Sequence, residues 1–109
     1  MTAFGSFEEI DAETPYDGIE RRVLTTSKAT VQEYRFEPGA SFPLHNHPQE
    51  QITVVLDGDV AFSADGERRE LRAGEWSVVA GGVPHGVTAG PAGARFIAII
   101  VPPRKEPLT

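Results

Sequence analysis

From Ile19 onward the chain alternates apolar and polar positions in short runs, with turn residues breaking them roughly every eight to twelve residues. That rhythm belongs to β-sandwiches and barrels, and no long helical period interrupts it. Strands are predicted over 21–26, 30–36, 51–56, 60–64, 68–72, 76–80, 86–89 and 95–101. Eight strands suit an all-β, double-sheet jelly roll. The run 51–56 sets Ile52, Val54 and Leu56 on one face and Gln51, Thr53 and Val55 on the other, because successive side chains point to opposite sides. The mixed face suits the inside of a barrel that holds a ligand.

Asp57-Gly58 and Asp65-Gly66 tolerate positive φ, so each is expected to close a tight hairpin. Glu37-Pro38-Gly39 marks another turn, and Gly81-Gly82 leaves room for a close backbone approach at a pocket rim. Residues 1–18 are acidic and irregular, with a short helix expected around 7–12, capped by Ser6 with Glu9 three residues on. The predicted organisation is one domain, with the barrel over 19–101 and an extended tail over 102–109 that becomes mobile toward its end.

Composition narrows the function classes. The 109 residues contain no cysteine, which excludes disulfides, thiolate zinc sites and a cysteine nucleophile. The longest apolar stretch, 96–101, falls far short of the roughly 20 residues a membrane helix needs, and no basic-then-apolar leader opens the chain. A cytoplasmic protein with no membrane contact is expected. A formal charge of −6 without a basic stripe argues against nucleic-acid binding. Exposed sheet edges need cover, so a homodimer is expected.

All three histidines fall in one spaced pattern: His45-Asn46-His47, then Gln51, then His85 just after Gly81-Gly82-Val83-Pro84. On an extended strand His-x-His puts both imidazoles on one face, and Gln51 shares their parity. Glu50 has the opposite parity if the strand stays regular through Pro48, so Gln51 is taken as a fourth metal ligand with Glu50 as the alternative. Three imidazoles and an amide oxygen carry no negative charge, so a divalent ion held there keeps its full 2+ as a Lewis acid and favours anionic oxygen ligands. Imidazole with oxygen suits Mn, Fe, Ni, Zn or Cu. The plainer alternative makes His45 and His47 solvated strand residues and His85 a turn cap. Trp76, Tyr34 and Phe36 are assigned to the barrel filling, with Trp76 lining the pocket and Tyr34 and Phe36 facing substrate as the alternatives. Arg35 and Arg95 are read as solvated, with contact to a carboxylate ligand as the alternative. Glu67-Arg68-Arg69-Glu70 reads as the charged guard of an edge strand, and Glu8, Glu9, Asp11 and Glu13 as a solvated terminus.

Two motifs carry a resemblance. Gly39, five residues, His45-Asn46-His47, three residues, Gln51, six residues and Gly58 resemble the first motif of cupins, with glutamine where glutamate is more usual. Gly74, five residues and Ala80-Gly81-Gly82-Val83-Pro84-His85 resemble the second, with Ala80 where proline is usual. The resemblance implies a jelly-roll barrel around one divalent metal held by His45, His47, Gln51 and His85. A narrower resemblance rests on His45 to Ile52, Val83-Pro84-His85-Gly86-Val87 and Val101-Pro102-Pro103-Arg104. These are similar to small pectin-degradation cupins that convert 4,5-unsaturated monouronates into linear keto forms. That likeness implies a metal-dependent isomerase or tautomerase acting on a small oxygen-rich anion, with Arg104 near its carboxylate. The acid those proteins carry four residues before the first of the two prolines is replaced here by Ala98, so a metal-held water or Glu50 is expected to move the proton. The alternatives are a dioxygenase of the quercetinase type and a non-catalytic ligand-binding module.

Overall fold

Two long strands, β4 (Glu50–Ala64) and β7 (His85–Val101), pair antiparallel along most of their length and bend together, so each contributes to both walls of the fold. Their first contact zone pairs Ile52 with Ile99, and their second pairs Phe62 with Val87. The first wall runs β1 (Ile19–Thr25), β2 (Thr30–Phe36), β7, β4 and β6 (Trp76–Val79). The second runs β3 (Ser41–His45), β7, β4 and β5 (Glu67–Arg72). This is the jelly-roll arrangement the strand rhythm predicts. The computed structural model describes residues 2–104, so the tail expected over 102–109 is described only as far as Arg104 and its remainder lies outside the described residues.

The corner between the walls corrects one expectation. Asp57-Gly58 closes no hairpin; it lies inside β4, where the register with β7 shifts between Val55 and Asp57 and again between Gly58 and Val60. Gly58 has φ +72 and stands so close to Gly93 that a Cβ would meet that residue's carbonyl oxygen at 2.1 Å. Positive φ serves a bulge as readily as a hairpin, and here it turns a continuous strand. Asp65-Gly66 does close the β4–β5 hairpin, with φ +52 and +77 and Ala64 opposite Glu67. The predicted segments 51–56 and 60–64 are therefore one strand, as are 86–89 and 95–101. β3 adds an element that Pro43 conceals in sequence; it sits at an edge, where proline is tolerated.

The barrel interior is aromatic. Tyr34 stacks on Phe96 with ring centroids 5.0 Å apart and meets Phe42 edge-on at 5.9 Å; Phe36 is buried beside them. Both Tyr34 and Phe36 thus fill the barrel. On β4 the mixed face is the inner one: Gln51, Thr53 and Val55 are buried, whereas Leu56 is exposed. Trp76 is not core, being 65 % exposed. It lies opposite Val54 on the outer face of edge strand β6, whose inner positions are Ser77 and Val79.

The outer face of β2 holds a second correction. Glu33 is fully buried there, 2.8 Å from Arg95 Nε, 3.0 Å from Arg35 Nη2 and 3.8 Å from Arg22 Nη1. Arg35 and Arg95 are therefore neither simply solvated nor near the barrel interior. The acidic terminus is fastened as well: Glu8 pairs with Arg35, and Glu13 bridges β1 at Arg21 through two backbone bonds and a side-chain pair at 2.9 Å. The expected helix is a single 3-10 turn, Phe7–Glu9, with Ser6 N donating to Glu9 Oε1 at 3.1 Å. Among the described residues no helix is long and apolar enough to cross a membrane.

Candidate metal centre

The last residue of β3, His45, stands opposite the first residue of β7, His85, and their rings lie 4.4 Å apart. His47 follows two residues beyond the end of β3, so strand alternation does not run through Pro48. The loop before His85 holds His47 in place instead. Gly82 N donates to His47 O at 2.8 Å, and Gly81 packs so tightly that a Cβ would come within 2.1 Å of Pro48 O. The close approach expected of the paired glycines is thus a clamp between the two loops that carry histidines. β4 begins afresh after that loop, and Gln51 faces inward between the buried Val79 and Ile100.

Each imidazole is oriented by a backbone carbonyl. His45 Nδ1 lies 2.9 Å from Pro43 O, His47 Nδ1 3.0 Å from Gln49 O, and His85 Nδ1 2.9 Å from Val83 O. A carbonyl only accepts, so each Nδ1 carries the proton and each Nε2 is left with its lone pair. The candidate ligand atoms of the three histidines lie within 4.8 Å of one another. Gln51 adds a fourth donor: its Nε2 donates to Thr53 Oγ1 at 3.0 Å, which turns Oε1 toward His47 Nε2 at 3.1 Å and His85 Nε2 at 3.2 Å. With these tautomers neither short contact has a proton to share. Four lone pairs converging in a buried space repel one another, and a cation at their focus turns that repulsion into coordination. The donor set therefore fits a divalent metal. Burial pushes the His85 imidazole down to about 4, and the charges of His45, His47 and Arg104 would act in the same direction. Burial lowers His45 as well. Neutral imidazoles are the ligand form, so the site is prepared for metal at neutral pH.

The cluster lies in a narrow, partly open cavity that Gln32, Tyr34, Phe42, Phe96 and Arg104 also line. Residues 32–100 match the cupin domain model, over half the chain. The chain belongs to the cupin family. Among curated proteins it is similar to the pectin degradation protein KdgF of Dickeya dadantii (strain 3937), at 31 % identity over 103 residues, covering 89 % of this chain and 94 % of that protein. Among solved structures it is similar to KdgF from a Halomonas species, with TM-score 0.88 and 26 % identity, covering 96 % of this chain and 97 % of that one. An RmlC-like cupin from Shewanella frigidimarina gives TM-score 0.87 at 26 % identity, covering 96 % and 95 %.

In this cupin the structure brings His45, His47, Gln51 and His85 to one point, and Arg104 to the wall of the same cavity. Arg104 is positioned by its own backbone, whose N donates to Thr30 Oγ1 at 3.1 Å. Glu50 is not brought there. It is exposed, on the opposite face of β4, and does not line the cavity, so from that position it neither ligates nor moves a proton at the centre. Ala98 is fully buried between Gln32 and Thr53 on the flanking strands. No carboxylate is among the described residues lining the cavity. Thr53, which orients Gln51, is a site residue that sequence reasoning missed; its signal was a polar residue at the inward parity of a buried strand.

Proposed function

We propose that this cupin holds one divalent transition metal, Mn, Fe, Ni, Zn or Cu, on His45, His47, His85 and Gln51, and acts as an isomerase or tautomerase on a small oxygen-rich anion of the sugar-acid class. One observation carries the reading: four neutral, pre-oriented donors converge beside a cavity whose wall, among the described residues, includes the cationic Arg104 and no carboxylate. The metal, when bound, would supply an undiminished positive charge to polarise a hydroxyl or carbonyl oxygen. Arg104 would take the substrate carboxylate, since a guanidinium fork matches two carboxylate oxygens. Phe42, Phe62 and Phe96 wall the cavity and keep water away from the reacting atoms. Tyr34 has the sole O–H group among the described residues lining it, and so carries the proton that Ala98 cannot. Arg21 Nη1 donates to that phenol oxygen at 3.5 Å, leaving the hydroxyl hydrogen free to be given. Burial raises the Tyr34 hydroxyl above its usual range, against the opposing pull of Arg21, so it stays protonated at neutral pH.

Metal-loaded protein mixed with 4,5-unsaturated monouronates is expected to change their ultraviolet absorbance; unchanged absorbance removes the reaction. The absence of a cavity carboxylate among the described residues favours, as the second reading, a ligand-binding cupin without turnover. A sugar acid that co-purifies tightly and is recovered unaltered decides for that reading.

A homodimer accompanies either reading. Ile52 and Val54 on β4, Ile97 and Ile99 on β7, and Trp76 and Val78 on β6 point outward on three adjacent strands; Trp76 and Val78 are 65 % and 53 % exposed. An apolar outer stripe ending on an edge that is unpaired among the described residues is the kind of surface a second copy covers. Light scattering at micromolar concentration is expected to give twice the chain mass, and Trp76→Glu half of that; a monomeric wild type removes the dimer.

A further inference from the structure

β2 turns Thr30, Gln32, Tyr34 and Phe36 inward, and Gln32 stands out among them. It is 2 % exposed and lines the same cavity as His47 and Gln51, yet its carboxamide has no hydrogen-bond partner among the described residues. The other inward polar groups of this region are engaged. Thr30 Oγ1 accepts from Arg104 N, and Thr53 Oγ1 accepts from Gln51. Across the strand pair from Gln32 stands Ala98, fully buried, whose methyl group offers no polar partner. Its amide atoms are not closed off from the cavity, so a group bound there can partner them.

We propose that Gln32 is the hydroxyl-reading residue of this site, lying between the Arg104 end of β2 and the histidine cluster. The proposal rests on the reading of the cavity as a site for a small oxygen-rich anion. A carboxamide presents a donor and an acceptor side by side, and a hydroxyl group uses both. A bare carboxylate only accepts and leaves the amide oxygen unanswered. Gln32 therefore selects hydroxylated acids, such as uronates, over acids of the same size and charge without hydroxyls.

The test uses wild-type, Gln32→Leu and Gln32→Met proteins, each zinc-loaded and shown by elemental analysis to hold equal metal. Two ring acids are titrated by calorimetry: D-galacturonate, which is hydroxylated, and cyclohexanecarboxylate, which is not. Both variants are expected to bind galacturonate about tenfold more weakly, the value of one hydrogen bond, with cyclohexanecarboxylate affinity unchanged. Because the amide faces the cavity and not the closed core, removing it is expected to leave the melting temperature of the metal-free protein unchanged. Methionine matches glutamine in length and shape, so a packing fault specific to leucine would not appear in both variants. Equal losses for the two acids, or a lowered melting temperature in both variants, make Gln32 a structural residue and overturn the proposal. If the variants bind galacturonate as tightly as wild type, the role of Gln32 falls and the site reading stands. If wild type binds neither acid, the site reading falls and takes the proposal with it.

Discussion

Replacing Thr53 by valine removes one oxygen from the interior and tests how the centre is aimed. Thr53 is fully buried, and its Oγ1 accepts the 3.0 Å bond that holds the Gln51 carboxamide with Oε1 toward His47 and His85. Valine keeps the branched shape, leaves the Gln51 N–H without its acceptor, and so costs about 1–3 kcal/mol if the amide stays where it is. The amide has another course in the metal-free protein. A half-turn would direct Nε2–H at the lone pairs of His47 and His85, which lie 3.1 and 3.2 Å from the present oxygen, and recover most of that loss. In the metal-bound protein the half-turn is forbidden, because an N–H cannot coordinate a cation. The whole penalty then falls on metal binding. Thr53→Val is expected to lower metal affinity about 10- to 100-fold, the range typical of residues that orient ligands and equivalent to about 1.4–2.8 kcal/mol. Unfolding free energy without metal should change by less than about 1 kcal/mol. Competition with a chromophoric chelator measures the first quantity and urea unfolding in chelator the second. Affinity within twofold of wild type would refute the orienting role. A large loss of metal-free stability would show instead that valine damages the core.

Three further outcomes follow from the same structure. The His85 imidazole falls from 6.5 to about 4 on folding, chiefly through burial. The unfolded chain therefore takes up that proton first as pH falls, and stability present above pH 6.5 is lost down to about pH 4. For this one group the loss is worth about 3 kcal/mol; His85→Leu should flatten the metal-free urea midpoint across that window, and an unaltered slope would assign the effect elsewhere. Desolvation pushes the Glu33 carboxyl up, but bonds from Arg95 and Arg35 outweigh it and hold it low. Glu33→Gln should cost about 2–3 kcal/mol, below the usual value for a broken buried pair because two of its arginines are a third or more exposed. An unchanged urea midpoint would show the cluster to be neutral for stability. Tyr34→Phe should lower uronate turnover about 100-fold while calorimetric galacturonate affinity stays within twofold; unaltered turnover removes its proton-carrying role.

The period-two alternation and the spacing of turn residues made the two-walled fold legible, because burial on one face of a strand imposes that pattern locally. What escaped depended on partners distant in sequence. Asp57-Gly58 and Asp65-Gly66 read identically, and only the unbroken pairing of β4 with β7 makes one a bulge and the other a hairpin. Trp76 looked like core because size suggests burial; its parity on an edge strand sends it outward. Glu33 looked like surface, and three arginines brought from three strands enclose it. At the site, the grouping of His45, His47, Gln51 and His85 could be anticipated from spacing. The reason His47 points where it does could not, since the chain bends at Pro48 and a loop some thirty residues later holds it. Thr53 and Gln32 were visible as polar residues at inward positions, a signal easily set aside as tolerated exceptions.

The proposed centre holds one metal ion on these four neutral donors. Elemental analysis of protein expressed without an affinity histidine tag, alongside His47→Ala and Gln51→Ala, tests it most directly. One divalent ion per chain in wild type, its loss from His47→Ala and partial loss from Gln51→Ala is the predicted result. No bound metal in wild type, or full occupancy in both variants, would contradict it.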